Sequence, residues 1–329
     1  MDLGDFLIHE GPALSAQKHA ARVFHADKTY FVLNGTSTSN KIVMNAVLAP
    51  GDIVLYDRNN HKSIDLGLIL SGAIPIYMET ARNAAGSIGG IPEACFDEDY
   101  IRKLVAEKNP ERAKEERPIR LAVIELGTYD GCLYNARQVI DRIGYLCDYI
   151  FFDSAWVGYE QFIPMMKDAS PLLLELGPDD PGIFVTQSVH KQQAGFSMTS
   201  QIHKKDAHIR GQQRYVPHKR MNNAYMMHAS TSPFYQLFAA LDMNARIHEG
   251  EGGKKLWKDA LILGIELRKE IIKKCHYLKP FLQIPWETGN GKMQTPPRSL
   301  QTAASGPSAP KPAGTDSKDT EKTSTSWIP

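Results

Sequence analysis

The chain has 329 residues, 42% of them hydrophobic, and its 38 Lys and Arg against 37 Asp and Glu leave a formal net charge of +1. That length and apolar content suffice for a sizeable core, and the near-neutral balance supplies no global field for nucleic acid or an anionic membrane. No segment reaches the roughly 20 apolar residues that span a bilayer, no basic-then-apolar leader opens the sequence, and Cys95, Cys132, Cys147 and Cys275 form no CxxC pair, so a soluble cytoplasmic protein without a disulfide framework is predicted.

Residues 1–12 read as a linker-like lead-in. Helical spacing then predicts a helix over 13–26, an apolar run a strand over 29–33, and further elements follow as helix 40–48 and, after the Pro50-Gly51 turn, strand 52–56. Strands are predicted at 74–78, 119–125, 149–153 and 182–187, with helices at 97–108 and 135–147 between them. This alternation predicts an α/β domain over 13–288 with a mostly parallel sheet flanked by helices. Past Lys191 a basic stretch over 203–220 reads as a solvated or interface loop, and helices follow at 233–248 and 254–275. More than half of residues 289–329 are Pro, Ser, Thr or Gly, a composition predicted to be disordered.

Several predicted strands end in polar residues: Asn34, Asp57, Glu125, Asp153 and Ser188. Ligands of open α/β sheets bind beyond the carboxyl ends of the strands, so these positions are expected to face one site. Ser188-Val189-His190-Lys191 follows a strand directly. Burial and neighbouring positive charge can turn a lysine into the neutral amine that forms an imine with a carbonyl cofactor; a lone lysine there would read as a solvated loop residue, and Asp153 upstream is what changes the reading. Asp153 closes an aromatic strand in Phe151-Phe152-Asp153-Ser154-Ala155-Trp156. A carboxylate so placed suits the pyridine nitrogen of pyridoxal 5'-phosphate, which must stay protonated for the ring to accept electrons, and Ala155 is small enough to lie under that ring. Capping of a following helix is the competing role for Asp153.

Asn34-Gly35-Thr36-Ser37-Thr38-Ser39-Asn40 joins a strand to a helix. Gly35 permits a tight turn, and the helix-start N–H groups with the Thr36 and Ser37 hydroxyls suit a phosphate, although an ordinary N-cap has the same look. The stretch lacks the lysine of a nucleotide P-loop, as does the glycine cluster at 250–255. His61, in Asp57-Arg58-Asn59-Asn60-His61-Lys62-Ser63, can stack on a pyridine ring or stand as a plain loop histidine. Eleven histidines show no i, i+4 pairing with a nearby carboxylate, so no metal site is predicted. The basic stretch carries one tyrosine and no aromatic repeat, which argues against a nucleic-acid surface.

In order and text, these segments resemble the bacterial ornithine/lysine/arginine decarboxylase family of fold-type I pyridoxal-phosphate enzymes. Phe152-Asp153-Ser154-Ala155-Trp156-Val157, Thr186-Gln187-Ser188-Val189-His190-Lys191 and Asp57 to Ser63 are similar to its signature segments. Leu126 to Gly131, Gly158 to Met166 and His190 to Lys205 resemble the ornithine branch. The resemblance implies an aspartate aminotransferase-like large domain and decarboxylation of a basic amino acid, L-ornithine to putrescine first among the candidates. It implies Lys191 as the Schiff-base lysine, Asp153 on the pyridine nitrogen, His61 stacked on the ring, Ala155 beneath it and Trp156 near the phenolic oxygen. Gly35, Thr36, Ser37 and Ser188 would hold phosphate. Ser230 would reach the phosphate of a second subunit, making a homodimer with shared sites the active unit. His190 or the freed Lys191 would return a proton to the substrate. The resemblance covers about residues 4–284, and the wing and small C-terminal domains usual in the family are expected to be absent. A non-catalytic cofactor-binding subunit and an aminotransferase therefore stay open, the latter wanting an arginine clamp that no segment identifies.

Overall fold

Long apolar runs buried on both faces set the architecture. The computed structural model describes residues 5–82, 88–129, 131–278 and 280. Its elements run α1 (Gly11–Val23), β1 (Lys28–Val32), α2 (Thr36–Val47), β2 (Ile53–Asp57), α3 (Lys62–Ser71), β3 (Ile74–Met78), α4 (Glu98–Lys108), β4 (Ile119–Glu125) and α5 (Ala136–Ile143). There follow β5 (Cys147–Asp153), β6 (Gly182–Gln187), α6 (Val189–Gln192), β7 (Ser200–Lys205), α7 (His218–His228), α8 (Tyr235–His248) and α9 (Gly250–Lys274). The strands form one sheet in the order β1-β7-β6-β5-β4-β2-β3, parallel except at β7, which runs antiparallel to both β1 and β6.

Strands such as β2 and β6 are buried along their whole length because helices cover both faces of a parallel sheet. Packing at the centre is close: a Cβ added to Gly182 would lie 2.2 Å from the Tyr149 ring on the paired strand, so only glycine fits there. Helix starts are set by local caps. Asp97 accepts from the Tyr100 N–H at 3.1 Å ahead of α4, and Asn135 from the Gln138 N–H at 3.1 Å ahead of α5.

The mostly parallel sheet, the strands predicted at 74–78, 119–125 and 182–187 and the helix predicted at 97–108, observed over Glu98–Lys108, are present. Three differences carry a physical reason. The helix predicted from residue 40 begins at Thr36, so the Ser/Thr run is its first turn rather than a loop before it. The basic stretch predicted as a loop from 203 contains part of β7, whose polar sequence hides it. Gln201 donates to Gln187 Oε1 at 2.8 Å, His203 Nδ1 lies 2.8 Å from Thr29 Oγ1, and the buried Lys204 ammonium pairs with Asp206. Its later part forms α7, which the sequence pattern did not announce. The stretch predicted as a lead-in contributes Phe6 and His9 to the core. Residues 275–329 separate from residues 1–274 as a second unit, and the tail predicted to be disordered lies outside the described residues. Among the described residues no helix is long and apolar enough to cross a membrane.

His9 supplies a test of this packing. Its ring is 5% exposed, 4.9 Å from the Tyr225 ring centroid, and its Nδ1 lies 3.1 Å from Gln17 Nε2. Burial, reinforced by neighbouring His218, lowers its pKa from 6.5 to about 4. The unfolded chain then binds more protons between those values, so this contribution to stability is whole above pH 6.5 and is lost as pH falls toward 4. Urea melts should show wild type losing up to about 3 kcal/mol more than His9→Asn between pH 7 and pH 4. Equal losses would contradict the buried neutral ring.

Candidate active site

Asp153, the last residue of β5, has no exposed surface. Its Oδ2 accepts from Asn40 Nδ2 at 2.7 Å and its Oδ1 from the Ala155 N–H at 3.0 Å. Burial raises its pKa above the ordinary carboxylate value, although these two hydrogen bonds and neighbouring His61 and Lys191 pull the other way. Asn40 lies on α2, one turn in from the helix start. It accepts from Thr186 Oγ1 at 2.8 Å and donates to Ser63 Oγ at 3.0 Å as well as to Asp153, so its amide is held at both ends.

The chain of hydrogen bonds continues from Ser63 to His61, whose Nδ1 lies 2.8 Å from Ser63 Oγ and accepts from the Ser63 N–H at 3.2 Å. A ring nitrogen accepting from a backbone N–H carries no proton itself, so the neutral imidazole is the Nε2–H tautomer. His61 thereby caps α3 while its ring remains exposed.

Lys191 is carried on the single turn of α6, just past β6. Its Nζ is 4.3 Å from the centroid of the half-buried Trp156 ring, itself edge-on to Tyr129 at 5.5 Å. The expectation of a buried lysine beside positive charge is corrected: the side chain is exposed because α6 stands at the open end of the sheet, and the groups it couples to are the acids Asp153 and Glu125. His190 Nδ1 lies 2.8 Å from the Thr199 carbonyl, which can only accept, so Nδ1 bears the proton and Nε2 is left for other partners.

A cluster of hydroxyls forms a second end of the site. Gly35, at φ +76° in the left-handed region that glycine tolerates, turns the chain into α2. Thr36 Oγ1 then lies 2.6 Å from Ser188 Oγ and 2.8 Å from Ser200 Oγ, and Ser200 donates to the Gln187 carbonyl at 2.9 Å. With the Ser200 proton given to Gln187, Thr36 donates to Ser200 and Ser188 to Thr36, and the Thr36 and Ser37 N–H groups open the helix beside them. Ser37 and Ser230 are exposed and lie outside these hydrogen-bonded chains. Ser230 lines a surface pocket with Leu33, Asn34, Met198 and Phe234.

Asp57 and Glu125, ending β2 and β4, are buried beside this site. Asp57 accepts from the Asn59 N–H at 2.9 Å and the Glu125 N–H at 3.2 Å, and burial raises its pKa to about 6. Glu125 is aligned with Asp153 in the β4–β5 register, and burial, Asp153 and Asp57 raise its pKa well above the usual range. Neighbouring strands run about 4.8 Å apart, and two unit charges at that spacing in an effective dielectric of about 20 repel by about 3 kcal/mol. Sequence reasoning placed Glu125 at the strand ends without assigning it a role, and it missed Asn40, Ser63, Thr186 and Ser200. Only the polar character of the Ser/Thr/Asn run signalled Asn40, whose partner is far away in sequence.

A lysine beyond β6, a buried carboxylate ending β5 and a hydroxyl-rich helix start after β1, set on this sheet, define the large domain of the fold-type I class of pyridoxal-phosphate proteins. A family model described as Orn/Lys/Arg decarboxylase, major domain, matches residues 1–288, and the chain belongs to that family. It is 68% identical over 292 residues to the inducible ornithine decarboxylase of Escherichia coli, a match covering 87% of this chain and 40% of that protein. To the ornithine decarboxylase of Haemophilus influenzae it is 69% identical over 281 residues, covering 85% and 39%. The solved structure of lysine decarboxylase A from Pseudomonas aeruginosa superposes with a TM-score of 0.77 at 37% identity, covering 85% of this chain and 37% of that one. The chain thus spans about 40% of the length of the curated relatives it matches.

Removing the Asn40 donor tests the account of Asp153. Asn40→Ala should cost roughly 1–3 kcal/mol in chemical denaturation at pH 8, the penalty for an unsatisfied buried partner. The hydrogen bond favours the anion, so the penalty should shrink as pH falls and Asp153 takes up a proton. A penalty independent of pH would mean that Asn40 does not serve the carboxylate.

Proposed function

We propose that the chain binds pyridoxal 5'-phosphate through Lys191 and takes part in decarboxylation of a basic amino acid, L-ornithine to putrescine and carbon dioxide. Fully buried Asp153, held at both oxygens yet with lone pairs to spare, carries this reading. The names of the relatives at 68% and 69% identity supply the substrate. The residues fit the cofactor: an anion for its ring nitrogen, a primary amine on Trp156 for its carbonyl carbon, and a hydroxyl cluster at a helix start for its phosphate. When bound, pyridoxal phosphate supplies the electron sink that lets the bond from Cα to the carboxylate break.

The residues divide the remaining work. Lys191 would supply the primary amine for covalent attachment of the cofactor. Asp153 would hold the proton on the ring nitrogen, and Asn40 fixes Asp153 in place with a hydrogen bond that favours its anion. His61, fixed by Ser63, would offer a ring face to the cofactor, with buried Ala155 and Trp156 as further contacts of the ring. Thr36, Ser37, Ser188 and the Gly35 turn hold phosphate. A helix start alone is worth about 0.3–1 kcal/mol per charge, so the hydroxyls must contribute most of the grip at that end. His190 donates a proton from Nε2 only as the imidazolium, because Nδ1 is committed to Thr199; freed Lys191 is the alternative donor to Cα.

Residues 13–288 form the cofactor-binding domain in this reading. The working unit is a cytoplasmic homodimer in which Ser230 reaches the phosphate of the second subunit.

Incubation of the purified chain with pyridoxal phosphate should give a visible absorbance band, and borohydride reduction with peptide mapping should place the label on Lys191. Carbon dioxide release should be fastest from ornithine, ahead of lysine and arginine, and Lys191→Ala should lower it at least about a hundredfold. A label on another lysine overturns the Lys191 assignment. Labelling without carbon dioxide from any of the three amino acids overturns decarboxylation by this chain.

A further inference from the structure

Glu125 is a buried group of the site that the proposed chemistry leaves without a task. It is 5% exposed, ends β4 between Asp57 of β2 and Asp153 of β5, and its Oε2 has no hydrogen-bond partner among the described residues. Its carboxyl receives the His61 backbone N–H. A bare carboxylate oxygen in that setting is unfavourable, whereas a carboxylic acid needs only an acceptor for its proton.

The three neighbouring acids are not equivalent. Both oxygens of Asp57 accept backbone N–H groups, and both oxygens of Asp153 accept N–H donors, arrangements that favour the anion. Glu125 alone of the three leaves an oxygen bare. Charge supports the same choice. The groups facing Glu125 are Asp57 from β2, Asp153 from β5, Lys191 from α6, His61 ahead of α3 and the Tyr134 phenol ahead of α5. Lys191 cannot neutralise three carboxylates, and Glu125 is the one of them with an oxygen that meets no donor among the described residues.

We propose that Glu125 carries a proton in the folded protein and that its Oε2–H is a further binding group of the site, donating to an acceptor oxygen of the ligand held by Lys191 and Asp153. The ligand half of this rests on the reading of the site given above; the protonation half does not. The strongly raised pKa of Glu125 agrees with the placement of the proton. A neutral acid kept beside an ionised one gives two carboxyls opposite tasks, one donating and one accepting.

The test has two arms. In the first, cofactor-free wild type and Glu125→Gln are melted between pH 5 and pH 8.5. A group whose folded pKa lies above its unfolded value contributes stability that is present below the unfolded pKa and lost as pH rises through the folded one. Wild type should therefore lose several degrees of Tm relative to the variant across this range, and a gap that stays constant overturns the protonated Glu125. Glu125→Leu, which also cannot titrate, replaces the glutamine variant if that one fails to fold. In the second arm, pyridoxal phosphate is titrated into each protein and its absorbance band followed. Glutamine keeps a neutral donor and should hold affinity within about threefold, whereas leucine should weaken it roughly tenfold, the value of one neutral hydrogen bond. Leucine binding as tightly as wild type, or glutamine as weakly as leucine, overturns the donor role. A missing band in wild type defeats the cofactor reading and leaves the first arm standing.

Discussion

The hydrogen bond from Asn40 to Asp153 is the contact on which the rest of the site depends. An ionised carboxylate taken fully out of water costs several kcal/mol unless its oxygens are satisfied. Here Asn40 and the Ala155 N–H meet the two oxygens, and Asn40 is in turn fixed by Thr186. One amide on α2 therefore ties the ends of β5 and β6 to the helix whose first turn carries the Thr36 and Ser37 hydroxyls. Through Ser63 the same amide reaches His61. Asp153, Asn40, Ser63 and His61 thus form one hydrogen-bonded unit, which α2 joins to the Thr36–Ser188–Ser200 hydroxyl cluster.

That connectivity explains why residues scattered from Gly35 to Lys191 work at one place. Parallel strands bring their carboxyl ends to one edge of the sheet, and each βα turn there adds a polar group. The acids that collect at this edge repel each other, so their hydrogen bonds decide which stays ionised. Asp57 and Asp153 each accept a protein N–H at both oxygens, and Glu125 does so, among the described residues, at one alone. Lys191, exposed over Trp156, is the cation that this group of acids faces.

Much of this was legible in the sequence, and unevenly so. The strands from 74–78 to 182–187 could be read because parallel strands buried on both faces are nearly continuous apolar runs bounded by turns. Their polar last residues pointed to Asp153 and Ser188 for the same reason. β7 was invisible because its inward side chains are Gln201, His203 and Lys204, whose cost is met by partners distant in the chain. The exposure of Lys191 follows from the single turn of α6, a length that no periodicity reports. Asn40 was hidden differently: it looked like one more polar residue in a helix-start run, and only the 113-residue jump to Asp153 gives it meaning.

The central claim is that Asp153 exists to hold a proton on a ligand ring nitrogen, and nitrogen-15 NMR of ring-labelled pyridoxal phosphate bound to the chain tests it most directly. The account predicts a protonated ring nitrogen in wild type at neutral pH and a deprotonated one in Asp153→Asn, with the label still attached to Lys191. A ring nitrogen in the same protonation state in both proteins would contradict it.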